Sequence, residues 1–239
     1  MHPLTFSILF VNNLRNPGAA DLITYLGQTS ACVTQLPHLP DNLTPYQVIV
    51  VDPFHIKANE LHRLQKYVAT GGGCLGITIT IPKDGSAADL FGVLPKEADP
   101  DCEVRFLFTN RTNPLGIRLP DAFYVSGPFL PLTVQDDDVE VVLYADWRYT
   151  HQAMLTCRSF GAGMVALTTT QDLNHPTLQR IIYRLLRRLG YDMFWSGKWH
   201  LTYHPDGCLP DPYEAYGFTL PPGIGTCRMA ARSAWACCP

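Results

Sequence analysis

The run Gly71-Gly72-Gly73-Cys74-Leu75-Gly76 frames a thiol with glycines, and Gly72-x-Cys74-x-Gly76 has the spacing of a nucleophile elbow. In such an elbow a sharp strand-to-helix turn exposes the thiol, and the helix N-terminus lowers its pKa so that a thiolate can attack a carbonyl. Here the order is reversed, because a helical pattern precedes the glycines and a strand pattern follows them. Cys74 is therefore expected at the buried start of a strand, behaving as a small hydrophobe. The far end of that strand, where an elbow belongs, holds Thr78, Ile79 and Thr80. A threonine hydroxyl needs a base such as a terminal amine or an aligned histidine to become nucleophilic. Nothing in the sequence brings His151 or His175 to it, so the two threonines read as ordinary β-formers on one strand face.

Other chemistry-bearing residues have plainer readings. Cys32, Cys74, Cys102 and Cys157 stand singly in apolar or β-rich segments, as buried free thiols do. Cys208, Cys227, Cys237 and Cys238 crowd the end of the chain without a C-x-x-C spacing, and the adjacent pair suits one ion poorly, so no metal site is expected. Asp136-Asp137-Asp138 lacks the alternating ligands and glycine of a calcium loop and reads as a solvated turn. The sequons at Asn42 and Asn110 have no secretory leader before them, and Arg184, Arg187 and Arg188 read as the solvated face of a helix.

The elements that must position these residues can be read from periodicity. Phe6 to Val11 is a continuous apolar run closed by Asn12 and Asn13 and broken at Asn16-Pro17-Gly18, hence a buried first strand. Ala19 to Leu26 offers a short helix face through Leu22, Ile23 and Leu26. Cys32 to Leu36 and Gln47 to Val51 read as the next strands. Ile56 to Ala69 reads as a helix with apolar Leu61, Leu64, Tyr67 and Val68, stopped at Gly71 by a left-handed residue. Leu75 to Ile81 alternates as a strand up to Pro82. Further strands are expected at Phe106 to Thr109, Phe123 to Ser126, Val139 to Tyr144, Met154 to Arg158 and Met164 to Thr169, the last two joined as a hairpin by Ser159 to Gly163. Leu178, Ile181, Ile182, Leu185, Leu186 and Leu189 make one apolar stripe on a final helix, with Asn174 as its cap, Pro176 near its start and Gly190 at its end.

Continuous apolar strands, as opposed to alternating ones, imply a sheet covered on both faces and hence parallel strands interleaved with helices. Open sheets of this kind bind ligands beyond the carboxyl ends of their strands. The candidate polar lining there is Asn12, Asn13, Asp52, His55, Thr78, Thr80 and Asp172. Amides and carboxylates beside an aromatic such as Phe54 suit a hydroxyl-rich ligand. The same residues also have structural readings, with Asn12 and Asn13 as turn formers, Asp52 as a loop start and Asp172 as a helix-cap residue.

Composition bounds the function classes. The chain has 239 residues, 46% of them hydrophobic and 16% charged, which excludes a disordered or coiled-coil sequence. A net charge of -3 supplies no cationic surface for phosphate neutralisation, so nucleic acid is not an expected partner. There is no apolar stretch long enough to span a bilayer and no signal-like N-terminus, so a soluble, cytoplasmic protein without membrane contact is expected. From Trp195 onward histidines and prolines, among them His200, His204, Pro205 and Pro210, interrupt any regular element. The expected organisation is one domain over residues 1–190 and an irregular linker or tail over 191–239. That tail reads equally as a linker into a further domain, an extension, or sequence from a lost reading frame.

The succession V-I-V-V-D-P-F-H, a helix, Y-V-A-T-G-G-G-C-L-G-I, N-P-L-G-I-R-L-P-D-A-F-Y-V, Y-A-D-W, R-S-F-G-A-G-M-V-A-L-T-T-T-Q-D and N-H-P-T-L-Q-R-I-I-Y-R-L-L-R-R-L resembles the trehalose-utilisation (ThuA-like) family over roughly residues 5 to 190. The resemblance implies a class I glutamine amidotransferase-like fold, a flavodoxin-like three-layer α/β sandwich with a mainly parallel central sheet. It also implies carbohydrate catabolism in the company of Gfo/Idh/MocA-type oxidoreductases. Members often carry a histidine directly after the glycine-rich run and another before the aspartate of the late strand, where this chain has Thr78 and Gln171. The Cys-His-Glu triad of true amidotransferases is absent, because Thr78 stands where the nucleophile would be, and without a thiolate glutaminase activity is not expected. The leading expectation is thus a domain that binds a sugar or related small molecule, with no cofactor. The alternatives are a hydrolase or isomerase acting on a keto-sugar with Asp52, Asp172 or His55 as acid or base, and a non-catalytic interaction domain of an oxidoreductase assembly or homo-oligomer.

Overall fold

A computed structural model describes residues 6–29, 31–81, 87–97, 104–109, 115, 119–147 and 150–190. The proposed boundary tail 191–239 with its four cysteines and its histidines, and also Cys102 and Pro82, lie outside the described residues.

The first half of the fold follows from strands that are apolar on both faces. β1 (Phe6–Val11) lies between β2 (Ala31–Leu36) and β3 (Val48–Val51), parallel to both, with Ile8 opposite Val33 on one side and Val48 on the other. β3 continues in parallel to β4 (Gly73–Ile77). Side chains alternate between the two faces, so Phe6, Ile8, Phe10, Val48, Val50, Leu75 and Ile77 enter one core while Leu9, Val11, Ile49, Val51 and Cys74 enter the other. Helices close both faces. α1 (Ala19–Gly27) and the last helix α4 (Pro176–Gly190) cover the first, and α2 (Ala58–Ala69) and the short α3 (Ala88–Phe91) cover the second.

Between β4 and its parallel neighbour β11 (Gly163–Thr168) the chain makes a long excursion. It builds β5 (Val93–Pro95), β6 (Val104–Thr109), β7 (Ala122–Ser126), β8 (Leu132–Val134), β9 (Glu140–Trp147) and β10 (Thr150–Phe160). Among the described residues the sheet order is β2-β1-β3-β4-β11-β10-β9-β6-β7, with β5 and β8 paired alongside β10. The first five strands are parallel in the flavodoxin-like order, and the rest of the sheet is antiparallel. The flavodoxin-like α/β sandwich expected from the sequence is therefore present, and the parallel half is the part that the helices sandwich. The hairpin expected between Met154 and Thr169 joins the two halves, with Phe160 opposite Gly163 and Gly161 at φ +62° in the turn.

Three local expectations are corrected. β4 starts earlier than Leu75 and ends at Ile77, so Thr78 and Thr80 lie in the loop beyond it instead of on a strand face. The reason is a local turn: after Thr78 N–H pairs with Thr168 O at 3.1 Å, the Thr78 hydroxyl accepts the Thr80 N–H at 3.3 Å and ends the ladder. The helix expected from Ile56 starts at Ala58, because Pro53–His55 forms a separate turn of 3-10 helix and the Glu60 carboxylate accepts the Lys57 N–H at 3.0 Å. The residue that caps α4 is His175, not Asn174. His175 precedes Pro176, its carbonyl accepts the Gln179 N–H at 2.9 Å, and its ring Nδ1 accepts the Thr177 N–H at 3.2 Å. Stacking on Phe123, at 4.7 Å between ring centroids, holds that imidazole in place.

Candidate functional site

β1, β3, β4 and β11 end at the same edge of the sheet, and the chain runs from β1 to β2 on one side of it and then crosses to β3 on the other. The gap between the ends of β1 and β3 is therefore the topological switch point, where sheets of this order bind ligands. Asp52 follows the last residue of β3 and is fully buried. Its extended conformation (φ -83°, ψ 104°) starts the 3-10 turn Pro53–His55, and the carboxylate accepts the Phe54 N–H at 3.1 Å, capping that turn. The turn brings His55 back over Asp52, so that Nδ1 of the imidazole meets Oδ2 of the carboxylate at 2.8 Å. The Thr78 side chain lies close enough to the Asp52 carboxylate to favour its ionised form, and its hydroxyl exchanges bonds with the Thr80 backbone, donating to Thr80 O and accepting Thr80 N–H, both at 3.3 Å. Asn13, from the loop after β1, contacts the backbone of the same turn at Asp52 and His55.

Of the seven candidate residues, Asn13, Asp52 and His55 are thus bonded into one network, and the Thr78–Thr80 turn stands beside it. Asn12 is exposed beside it, with its N–H paired to Leu36 O at 2.8 Å. Asp172 lies on the loop after β11, where its carboxylate accepts the Asn174 N–H at 3.0 Å, and stands outside the bonds just traced. The sequence reading missed Asn16, which it took only as part of a chain-breaking turn. Asn16 is buried, donates to Thr170 O at 2.7 Å and accepts the Gly18 N–H at 2.8 Å, tying the β1–α1 loop to the end of β11. Gly18 packs so closely there that a Cβ would sit 2.4 Å from Gln171 O. The Asn-Pro-Gly run signals the turn, but the partner is far away in sequence and has no signal of its own.

Electrostatically the centre of the site is the Asp52–His55 pair. Burial raises the Asp52 pKa above its ordinary 3.8, opposed by the His55 imidazole, by the bond from Phe54 N–H and by the nearby Thr78 side chain. With the carboxylate ionised, Nδ1 carries the proton, which leaves Nε2 as the basic, hydrogen-bond-accepting atom. The His55 side chain keeps 23% of its surface exposed while that of Asp52 has none, so the imidazole is the member of the pair open to a ligand. Cys74 is elsewhere. It opens β4, at the end of the strand opposite Thr78, fully buried, and burial pushes its thiol far above the reactive range.

The raised Asp52 pKa has a stability consequence. The native state binds this proton at higher pH than the unfolded chain does. The contribution of Asp52 to stability is therefore fully present below 3.8 and is lost as pH rises through its native pKa. Asp52→Asn has no such dependence. Its stability relative to the wild type is expected to be most favourable near neutral pH and to decline as pH falls through the native pKa, checked by paired urea melts of both proteins across that window. A variant that gained stability relative to the wild type on acidification would contradict the direction of the shift.

Among the described residues no cluster of three or more His, Cys, Asp or Glu side chains could hold a metal ion, and no helix is long and apolar enough to cross a membrane.

The parallel half, its switch point and the covering helices define a flavodoxin-like α/β sandwich of the kind found in ThuA-like proteins. No protein-family model and no curated protein sequence matches the chain. Solved structures do. A ThuA-like protein from Bacteroides uniformis aligns with a TM-score of 0.59 at 15% identity, over 75% of this chain and 89% of that one. A cytoplasmic protein from Salmonella typhimurium, STM3548, aligns with a TM-score of 0.59 at 17% identity, over 77% and 98%. A cold-adapted β-galactosidase from Rahnella sp. R3 aligns with a TM-score of 0.61 at 13% identity, and this chain spans only 31% of its length. At these identities the likeness establishes a shared fold.

Proposed function

We propose that the chain binds a sugar or a related polyol at the switch-point edge of its sheet, as a cytoplasmic domain of carbohydrate metabolism without glutaminase activity. The observation that carries this reading is the Asp52–His55 pair: a buried carboxylate holds Nδ1, and the partly exposed imidazole offers Nε2 as an acceptor to a ligand hydroxyl. Thr80 supports it, since its hydroxyl oxygen is buried without a protein partner and sits next to the network. The fold shared with a ThuA-like protein points to the same class of ligand, and the β-galactosidase likeness, limited as it is to part of that enzyme, agrees with it. The reading without glutaminase activity is supported by the described thiols. Cys74 and Cys157 are buried; Cys32, expected buried, is exposed, but it lies at the start of the edge strand β2, away from the strand ends that form the site; and Thr78 follows the strand end where a nucleophilic thiol would be needed.

The test is a thermal-shift panel of sugars and oxidised sugars. A ligand at a hundredfold excess over its Kd stabilises the native state by about 2.7 kcal/mol, which raises Tm by roughly 5–10 °C for a domain of this size. His55→Gln is expected to abolish most of that rise. No shift with any member of the panel would overturn the reading in favour of an interaction domain, for which an oxidoreductase subunit or a second copy of the chain is the partner to seek.

The same 2.8 Å pair favours a second reading, a hydrolase or isomerase acting on a keto-sugar with His55 as general base and Asp52 holding it in orientation. Turnover of a bound sugar by the wild type, lost in Asp52→Asn while binding persists, would select it. Binding without turnover would leave the first.

A further inference from the structure

We propose that Asn13 is the positioning residue of this site, acting through the 3-10 turn to hold the His55 imidazole in the one orientation and tautomer that presents Nε2. The backbone ladder between β1 and β3 ends at Phe10 opposite Val50. Past that point the strands part. The Asn12 N–H turns to Leu36 on β2, and the rung that Asp52 would have shared with β1 is supplied by a side chain instead. The Asn13 Oδ1 accepts the Asp52 N–H at 3.0 Å, and its Nδ2 donates to Asp52 O at 2.8 Å and to His55 O at 3.4 Å. These partners fix the amide orientation without ambiguity, because a backbone N–H can only donate and a carbonyl can only accept. One side chain therefore grips both ends of the turn that runs from the buried carboxylate to the imidazole.

A turn-forming asparagine would bond to its own neighbours a residue or two away. Asn13 instead reaches 39 and 42 residues along the chain, and its amide oxygen and nitrogen are both engaged by backbone. That occupancy makes it a support for the ligand-facing group. The turn it clamps is a single one of 3-10 helix, whose own closing bond, His55 N–H to Asp52 O, is 3.2 Å long. A single turn has little internal cooperativity, so without the clamp the imidazole is free to leave the carboxylate and exchange its ring proton.

Only the role of Nε2 toward a ligand rests on the proposed function; the tautomer does not, and it is read without any ligand. The experiment records long-range ¹H–¹⁵N correlations of the histidine rings in the full-length protein, with the His55 signals assigned by their loss in His55→Gln. The wild type is expected to show neutral His55 as a single Nδ1–H tautomer. In Asn13→Ala that pattern should be lost, with the ring nitrogens moving toward averaged shifts, while the backbone spectrum keeps its dispersion. A folded Asn13→Ala whose His55 ring signals match the wild type overturns the proposal. If Asn13→Ala does not fold, Asn13→Asp decides. It keeps the acceptor for the Asp52 N–H and removes both donors, so it should show the same loss, and an unchanged tautomer overturns the proposal. If neither variant folds, Asn13 is a structural residue and the proposal fails. A sugar panel that gives no shift while the tautomer result holds brings down the ligand reading alone.

Discussion

Leu185→Asp is expected to leave the chain without a folded domain, seen as loss of the cooperative thermal transition in circular dichroism and of soluble protein. Leu185 is fully buried on α4 within the cluster that includes Leu178, Ile181, Ile182, Leu186 and Leu189 from the same helix, Leu22 and Leu26 from α1, and the inner faces of β1, β3 and β4. Removing the leucine side chain alone costs about 2–5 kcal/mol. Placing a carboxylate there without a partner adds several kcal/mol after relaxation. The sum is of the same size as the roughly 5–15 kcal/mol that hold a typical domain together. Cooperative melting near the wild-type temperature would mean that α4 does not pack on the sheet as described.

Gly163→Ala is the second change with a large expected effect, and its cause is backbone meeting backbone. Gly163 opens β11 where the β10–β11 hairpin passes under the C-terminal end of α2. A Cβ at this position would lie 2.2 Å from Gly72 O and 2.3 Å from Val68 O. Neither carbonyl belongs to a flexible side chain, so relief requires moving the end of α2 away from the sheet. The hairpin turn is held to the same helix by Ala162 N–H donating to Ala69 O at 3.0 Å, which resists that movement. A cost of about 3 kcal/mol, the upper end for overpacking, should lower Tm by roughly 6–12 °C. The same substitution at Gly27, the last residue of α1, provides the contrast. A Cβ there meets nothing within 4 Å, and replacing a helical glycine with alanine should change stability by no more than about +1 kcal/mol, in the stabilising direction. Equal melting temperatures for the two variants would refute the close approach at Gly163.

The elements that carry strong periodicity were legible from the residues. β1, α1, α2 and α4 are where their apolar patterns place them, because each pattern records a face that must be buried, and Cys74 is at the buried start of its strand as the order helix, glycines, strand requires. The short strands β5 and β8, of three residues each, left no such trace. The residue types alone place the end of β4 too far along, because Thr78 and Thr80 continue the alternation while the hydroxyl of one and the amide of the other close a turn. Residue type favours Asn174 over His175 as the α4 cap, because asparagine is the commoner capping residue, whereas the stacking on Phe123 that holds the His175 ring in place is a contact distant in sequence.

The candidate site divides along the same line. Its composition could be listed from the rule that loops after parallel strands face the ligand, which is a local property of each strand end. Which of those residues bond to one another could not. Asn13 and Asp52 are 39 residues apart, and Asn16 reaches Thr170 across 154 positions. By themselves the residues determined an α/β sandwich, the faces its helices bury and the absence of a thiol at the end of β4, since burial patterns and residue types are written along the chain. Only the tertiary structure decided that an asparagine from one loop supports a histidine–aspartate pair on another, because a hydrogen bond between distant segments depends on where the folded backbone brings them, and periodicity holds no record of that.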